Sequence, residues 1–346
     1  MHFRSHPYLF SFLLLIVTLT FSVAVGAVFI PPGSSLQIIF LKLFHLQGNW
    51  EQTQETILLV IRLPHAILIA LTGAALAGSG AAYQGLFRNP LADPYLMGVA
   101  SGAGLGAVLA MTLVMPEETG LQTGNLGMYF VPVAAFIGAL VTVTVVYAIS
   151  LAGGASVISN LILAGVAVGA FASAISSYIM LRSQGELHRA MSWLLGGSMM
   201  GGWEPVFAIL PYIAVGLGVL ALSGHALNIL QFGEEQAQQL GLPVKRTRII
   251  LICAASLVTA AAVAFTGLIG FIGLMIPHVV RMAWGADYRN LIPLSILTGA
   301  SALLIADLIA RLALSPQQLP IGVVTALFGA PFFIWILLRT RSRAEV

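Results

Sequence analysis

The sequence predicts an all-α, polytopic membrane protein with about ten transmembrane helices, and three observations carry that prediction. Hydrophobic residues make up 59% of the 346 positions and charged residues only 8%, more apolar surface than a soluble domain of this size can bury. Mean hydropathy is +0.98, and the apolar residues fall into runs near the ~20 residues that cross a bilayer as a helix. The 36 glycines suit helices whose backbones approach closely in lipid. A single transmembrane domain spanning 1–346 is expected. The one cysteine, Cys253, lies in an apolar run, which leaves no disulfide and no thiolate metal site within this chain. The net charge of +3 comes without a basic patch interleaved with aromatics, so no nucleic-acid partner is expected.

Taken in order, residues 9–30 form the first expected span. The run is longer than the apolar core of a secretory signal, and its end, AVFIPPGSS, has no A-x-A cleavage site, so the span is expected to be retained. Residues 31–56 are mixed and polar. The second span, 57–83, carries Arg62 and His65 near its start. It is closed by Arg88-Asn89-Pro90, after which the two prolines of Asn89–Pro94 impose a rigid, extended linker. A Gly-rich third span covers 99–115, and a loop bearing Glu117 and Glu118 leads to the fourth, 129–151. A tight turn at 152–157 precedes the fifth span, 158–181. A charged loop with Arg182, Glu186 and Arg189 follows, then a Gly-broken segment, Met191–Trp203, expected along the outer surface.

The sixth span, 204–224, runs into the longest polar stretch of the second half, 225–248. There Glu234 and Glu235 suit the positive start of a short helix, and Gly241 suits a left-handed residue just past its end. Lys245, Arg246 and Arg248 then lead into the seventh span, 249–264, as a cytoplasmic loop leads into a membrane helix. Residues 266–281, with Gly267, Gly270, Gly273 and Pro277, read as extended backbone leading into a short eighth helix at 274–284. Irregular backbone at that depth is tolerated only where protein or a water-filled cavity surrounds it. Spans nine and ten cover 290–312 and 321–338, leaving Arg339, Arg341 and Arg343 in the tail.

Ten spans put both termini on one side. If that side is the cytoplasm, ten of the 15 Lys and Arg residues lie inside and five outside, as the positive-inside rule requires. A shift of 187 residues superposes Thr72 on Thr259, Ala77 on Ala264, Gly80 on Gly267 and Pro90 on Pro277. The two copies run in opposite directions, the arrangement of an inverted-topology repeat.

Few residues carry chemistry. Asp307 is the clearest acid within a span, and Arg311 one turn later can pair with it. That pair reads as structural, with a proton relay, and hence a secondary transporter, as the alternative. His278 has no second ligand at metal spacing, and no metal site is expected. The two lysines, Lys42 and Lys245, follow Leu41 and Val244, which excludes a P-loop. No acid–base pair converges, so the chain is not expected to be an enzyme.

Five ordered runs resemble the FecCD-type permease family: Gly73–Gly106, Leu163–Ala170, Met191–Gly197, Gly270–Arg281 and Leu319–Ile334. These are the membrane subunits of bacterial ABC importers for iron–siderophore complexes, haem and cobalamin. The resemblance implies a homodimer in the bacterial inner membrane, with both termini cytoplasmic, ABC ATPase subunits below and a substrate-binding protein above. ATP would be bound by the partner subunits and no cofactor by this chain. An iron complex, siderophore or haem, is the expected cargo, with cobalamin as the alternative. Glu234, Glu235, Ala237 and Gly241 match the family's ATPase-coupling element, which departs here at Gln236. Asn89, Leu91, Val157, Ile158 and Ser159 occupy its inner-gate positions, where Val157 and Ile158 replace hydroxyl residues. Arg62, His65 and Arg311 occupy positions that dock the binding protein in the family's cobalamin permeases, with His65 in place of an arginine.

Overall fold

The computed structural model describes residues 6–26, 28–46, 48, 50–114, 124–152, 157–183, 185–197, 201–314 and 317–344. The expected loop with Glu117 and Glu118 and residues 153–156 of the expected turn lie outside the described residues. So do the side chains of Val157, Arg339, Arg341 and Arg343.

The described residues form helices and connecting turns, with no strand among them. Its helices are α1 (Pro7–Ala24), α2 (Pro32–Leu43), α3 (Gln52–Thr56), α4 (Leu63–Phe87), α5 (Val99–Leu109), α6 (Gly124–Ala152), α7 (Val157–Arg182) and α8 (Leu187–Leu194). After them come α9 (Glu204–Leu222), α10 (Gly224–Leu230), α11 (Glu234–Gln239), α12 (Val244–Thr266), α13 (Ile272–Trp284), α14 (Tyr288–Leu312) and α15 (Ile321–Ala344). Among the described residues seven helices are long and apolar enough to cross a membrane, and three shorter apolar helices accompany them near α5, α13 and α15.

α4 is the centre of the bundle. A π-helical turn, Ile57–Arg62, joins it to α3, and every residue from Thr72 to Phe87 is buried. Its small residues permit that position. A Cβ on Gly73 would stand 2.3 Å from the Gly299 carbonyl of α14, and one on Gly299 would stand 2.5 Å from the Gly73 carbonyl. The two backbones touch at this crossing. On another side the Tyr83 hydroxyl meets the Ser256 hydroxyl of α12 at 2.7 Å, and Thr259 donates to Ser79 at 3.0 Å. Rising numbers on α4 thus meet falling numbers on α12, so the two helices are antiparallel. α14 also runs antiparallel to α4, since His65 contacts Asp307 while Gly85 lies against Tyr288.

These directions sort the chain into two faces. The start of α1, the end of α4, the helices α10 and α11 and the starts of α12 and α14 share one face, called here the elbow face. The end of α1, Arg62, His65, Asp307 and Arg311 share the other. Between them, a 3₁₀ turn, Pro94–Met97, meets the non-helical stretch 267–271 inside the bundle. The Tyr95 hydroxyl donates to the Ile269 carbonyl at 3.0 Å and accepts from the Ile269 amide at 3.1 Å. The Tyr95 side chain thus satisfies both polar backbone groups of Ile269, which hydrocarbon could not do.

Three boundaries depart from expectation for physical reasons. α1 stops at Ala24, six residues short of Ile30, because its last carbonyls are taken by side chains from other helices, described below. The stretch 31–56 contains α2 and α3, helices that hydropathy at membrane-span length does not detect. The 187-residue shift carries Phe87, the end of α4, onto Leu274 inside α13, whereas α12 itself ends at Thr266. The correspondence is therefore between antiparallel helices and not between residues in that register.

Gly73→Ala is expected to lower the melting temperature of the detergent-purified protein, by about 1–3 kcal/mol of overpacking, because backbone has to move. Gly218→Ala, where a Cβ meets nothing within 4 Å, is expected to leave it unchanged or slightly raise it.

Candidate functional site

Two polar clusters stand at opposite ends of the bundle. On the elbow face, α10 and α11 replace what would otherwise be a loop. α11 begins at Gly233 (φ 103°) and is closed by Gly241 (φ 84°). The Gly241 amide donates to the Gln238 carbonyl at 2.9 Å and the Leu242 amide to the Ala237 carbonyl at 3.0 Å, the paired bonds of a Schellman cap. Ala237 is fully buried beneath this turn. Glu235, Gln236 and Gln239 face outward, and Phe232, Gln236, Gln239 and Leu240 line a shallow groove.

The elbow is fastened at several points. Glu234 is ion-paired with Arg248 of α12. Asn228 of α10 uses both ends of its amide on the start of α14: it donates to Asp287 at 2.6 Å and accepts from the Tyr288 amide at 2.9 Å. Gln231 donates to the Gly85 carbonyl of α4 at 3.0 Å. Asp287 also caps α14 by accepting from the Arg289 amide, and Arg289 chelates it. Those bonds from Arg289 and Asn228 hold its carboxyl well below the usual carboxylate range. A depressed carboxyl contributes stability that is fully present above the unfolded pKa of about 4 and fades only as pH falls further, so this joint persists at physiological pH.

Of the gate candidates, Ile158 lines a small cavity with Leu86, Arg88, Glu234 and Arg248, directly over the elbow. Asn89 forms a tight turn, accepting from the Leu91 amide at 2.9 Å, and Asn89, Leu91 and Ser159 are exposed. The structure thus brings Ile158 to Glu234, the first of the elbow acids.

On the opposite face the three docking candidates come together, but two are turned inward. α1 leaves its final carbonyls without intrahelical partners, and a cation is favoured at that negative end. Arg62 donates to the carbonyls of Val23 (3.1 Å), Ala24 (2.9 Å) and Val28. Arg311 donates to those of Val25 (3.0 Å) and Ser22 (3.1 Å). Asp307, only 2% exposed, accepts from Arg311 Nε at 2.9 Å and from His65 Nε2 at 2.9 Å. Of the three, His65 has the most open side chain.

Sequence spacing shows Asp307 with Arg311, and Arg62 with His65, each pair on one helix. It does not show that the two helices are neighbours, so the His65–Asp307 contact is not legible in it. Asn228 was likewise missed; its one signal is a lone amide within the apolar run HALNIL. His278 contacts the edge of Phe332, and among the described residues no group of three potential ligands could hold a metal.

Residues 14–339 match the FecCD transport family. The chain belongs to that family. It is a permease of the ABC importer class, and its likeness to known members runs nearly end to end. The cobalamin import permease BtuC of Halobacterium salinarum is 44% identical, over 86% of this chain and 78% of its own length. The hemin transport permease HmuU of Yersinia pestis is 39% identical, over 82% and 83%. A metal-chelate type ABC transporter solved in an inward-facing conformation superposes with a TM-score of 0.82 at 28% identity, covering 96% of this chain and 98% of that one.

The buried Asp307 serves two partners, the Arg311 guanidinium and the His65 imidazole, so Asp307→Ala is expected to cost about 3–5 kcal/mol, read as a lowered melting temperature. Glu51→Ala, an exposed acid on the same side of the chain, is expected to change it by less than ~0.5 kcal/mol.

Proposed function

We propose that this FecCD permease moves a metal-centred macrocycle, a corrinoid or haem, into the bacterial cytoplasm as a homodimer driven by separate ATPase subunits. The observation that carries the reading is the folded elbow. A capped six-residue helix fastened to α4, α12 and α14 is a surface for receiving force from a partner, and a proton-driven carrier has no use for it. Glu235, Gln236 and the Phe232–Leu240 groove face the ATPase, while Glu234, Ala237 and Gly241 keep the helix in shape. Asn89, Leu91, Val157, Ile158 and Ser159 form the inner gate, where Ile158 follows movements of Glu234 and Arg248. The elbow face is cytoplasmic, with both termini, because it carries Arg88, Lys245, Arg246, Arg248, Arg281 and Arg289.

At the outer end, Arg62, His65 and Arg311 receive acidic residues of the substrate-binding protein, and ATP hydrolysis then alternates access to the central path. An incoming acid competes with the α1 carbonyls and Asp307 for the same cations. Docking is therefore sensitive to how firmly α1 is held. The cargo class is supported by relatives named for cobalamin and hemin, which share a metal held in a tetrapyrrole-derived ring. Among the iron complexes expected from the sequence, haem shares this chemistry with the relatives' named cargos.

Glu235→Arg is expected to leave a folded, membrane-inserted protein whose transport in proteoliposomes falls at least about tenfold, equivalent to ~1.4 kcal/mol of coupling. Transport at the parent rate would remove α11 from the coupling role. For the cargo, the binding protein of the same system is titrated with cyanocobalamin, hemin and a ferric hydroxamate. Submicromolar affinity for either macrocycle, with ATP-dependent uptake that survives collapse of the proton gradient, is the expected result. Selective binding of the hydroxamate would overturn the cargo, and uptake that stops with the gradient would overturn the mechanism.

A further inference from the structure

We propose that α2 is an interfacial anchor, lying on the leaflet opposite the elbow face with its outward side inserted at the boundary between headgroups and acyl chains. α2 is too short to span. Its inward side is settled on the protein: Ile38 and Ser35 are buried, and α2 packs against α1. Its outward side carries Leu36, Phe40, Leu43 and, at its end, Phe44, all more than half exposed. Their i, i+4, i+7, i+8 spacing makes one apolar stripe, and no charge lies on it. The one charged residue of α2, Lys42, is instead drawn to Glu55 at 2.7 Å.

The occupant follows from what surrounds the stripe. Glu55 also accepts from Trp50 Nε1 at 2.8 Å. On the same face Trp203 donates to the Leu59 carbonyl at 2.9 Å and the Tyr129 hydroxyl to Glu204 at 2.6 Å. Aromatics with an apolar body and an engaged polar tip mark the level of a membrane interface, and the Lys42–Glu55 pair ties α2 to that level. α1, against which α2 packs, exposes Phe12, Ile16 and Phe21 along its length. A lipid surface fits an uncharged stripe beside a helix that is itself apolar and exposed, whereas a soluble partner would need polar groups at its rim. The anchor also reaches the outer cluster. Arg62 grips Val28, in the segment between α1 and α2, so the depth of α2 fixes a carbonyl that one docking arginine depends on.

The test uses the full-length protein in nanodiscs of phosphatidylethanolamine and phosphatidylglycerol. The exposed Cys253 is first replaced by Ala, and single nitroxide labels are placed by Leu36→Cys, Phe40→Cys and Leu43→Cys, with Gln37→Cys at the margin of the stripe. Power saturation with oxygen and with a water-soluble nickel chelate is expected to place the first three roughly 5–10 Å below the phosphates, with Gln37 shallower. Equal nickel access at all four sites would overturn the proposal. Shielding that appears only after the binding protein is added would make the stripe a protein-docking surface. Shielding that vanishes in nanodiscs holding a single copy would assign it to a second copy of this chain. None of these outcomes depends on the cargo or on ATP coupling.

Discussion

The contact on which the rest of this structure depends is the backbone-to-backbone crossing of α4 and α14 at Gly73 and Gly299. In lipid there is no hydrophobic drive to bring helices together, so close packing and polar contacts supply the attraction. A helix can be surrounded on every side only if its neighbours come near enough to touch, and α4 achieves this by presenting glycine, alanine and serine along its buried length. With α4 central and α12 and α14 antiparallel to it, the positions of both polar clusters are fixed.

α14 then does more than pack. Its first turn is held to α10 through Asn228 and Asp287, and its last turn carries Asp307 and Arg311, which hold α1 and face His65. One helix thus has the elbow at one end and the Asp307 cluster at the other. Its middle packs on α4 at Gly73 and Gly299, where no room is left between the two backbones. Arg281 adds a further tie, donating to Gln84 of α4 at 3.1 Å and to Tyr288 of α14 at 3.3 Å.

The outer arginines show how a residue type can be recognised while its contacts are not. Arg62 and Arg311 stand at positions that resemble a docking set, and an exposed ion pair is the natural expectation. Instead both satisfy orphaned carbonyls of α1, since a guanidinium near hydrocarbon gains more from several backbone acceptors than from one distant solvated acid. On the docking proposed above, an acid of the partner replaces one of these acceptors.

The sequence by itself determined the class, the order of the membrane helices, the elbow with its capping glycine, and the family motifs. Each of these rests on composition, on runs of about 20 apolar residues or on local backbone rules that act within a few positions. The helix boundaries at Ala24 and Phe87, the short helices between the first two spans, and the partners of Asp307, Asn228 and Tyr95 were decided only by tertiary structure. Those features depend on which helices lie side by side and at what height. Adjacency in a bundle is set by the summed fit of small residues along whole helices, a property that no single segment carries.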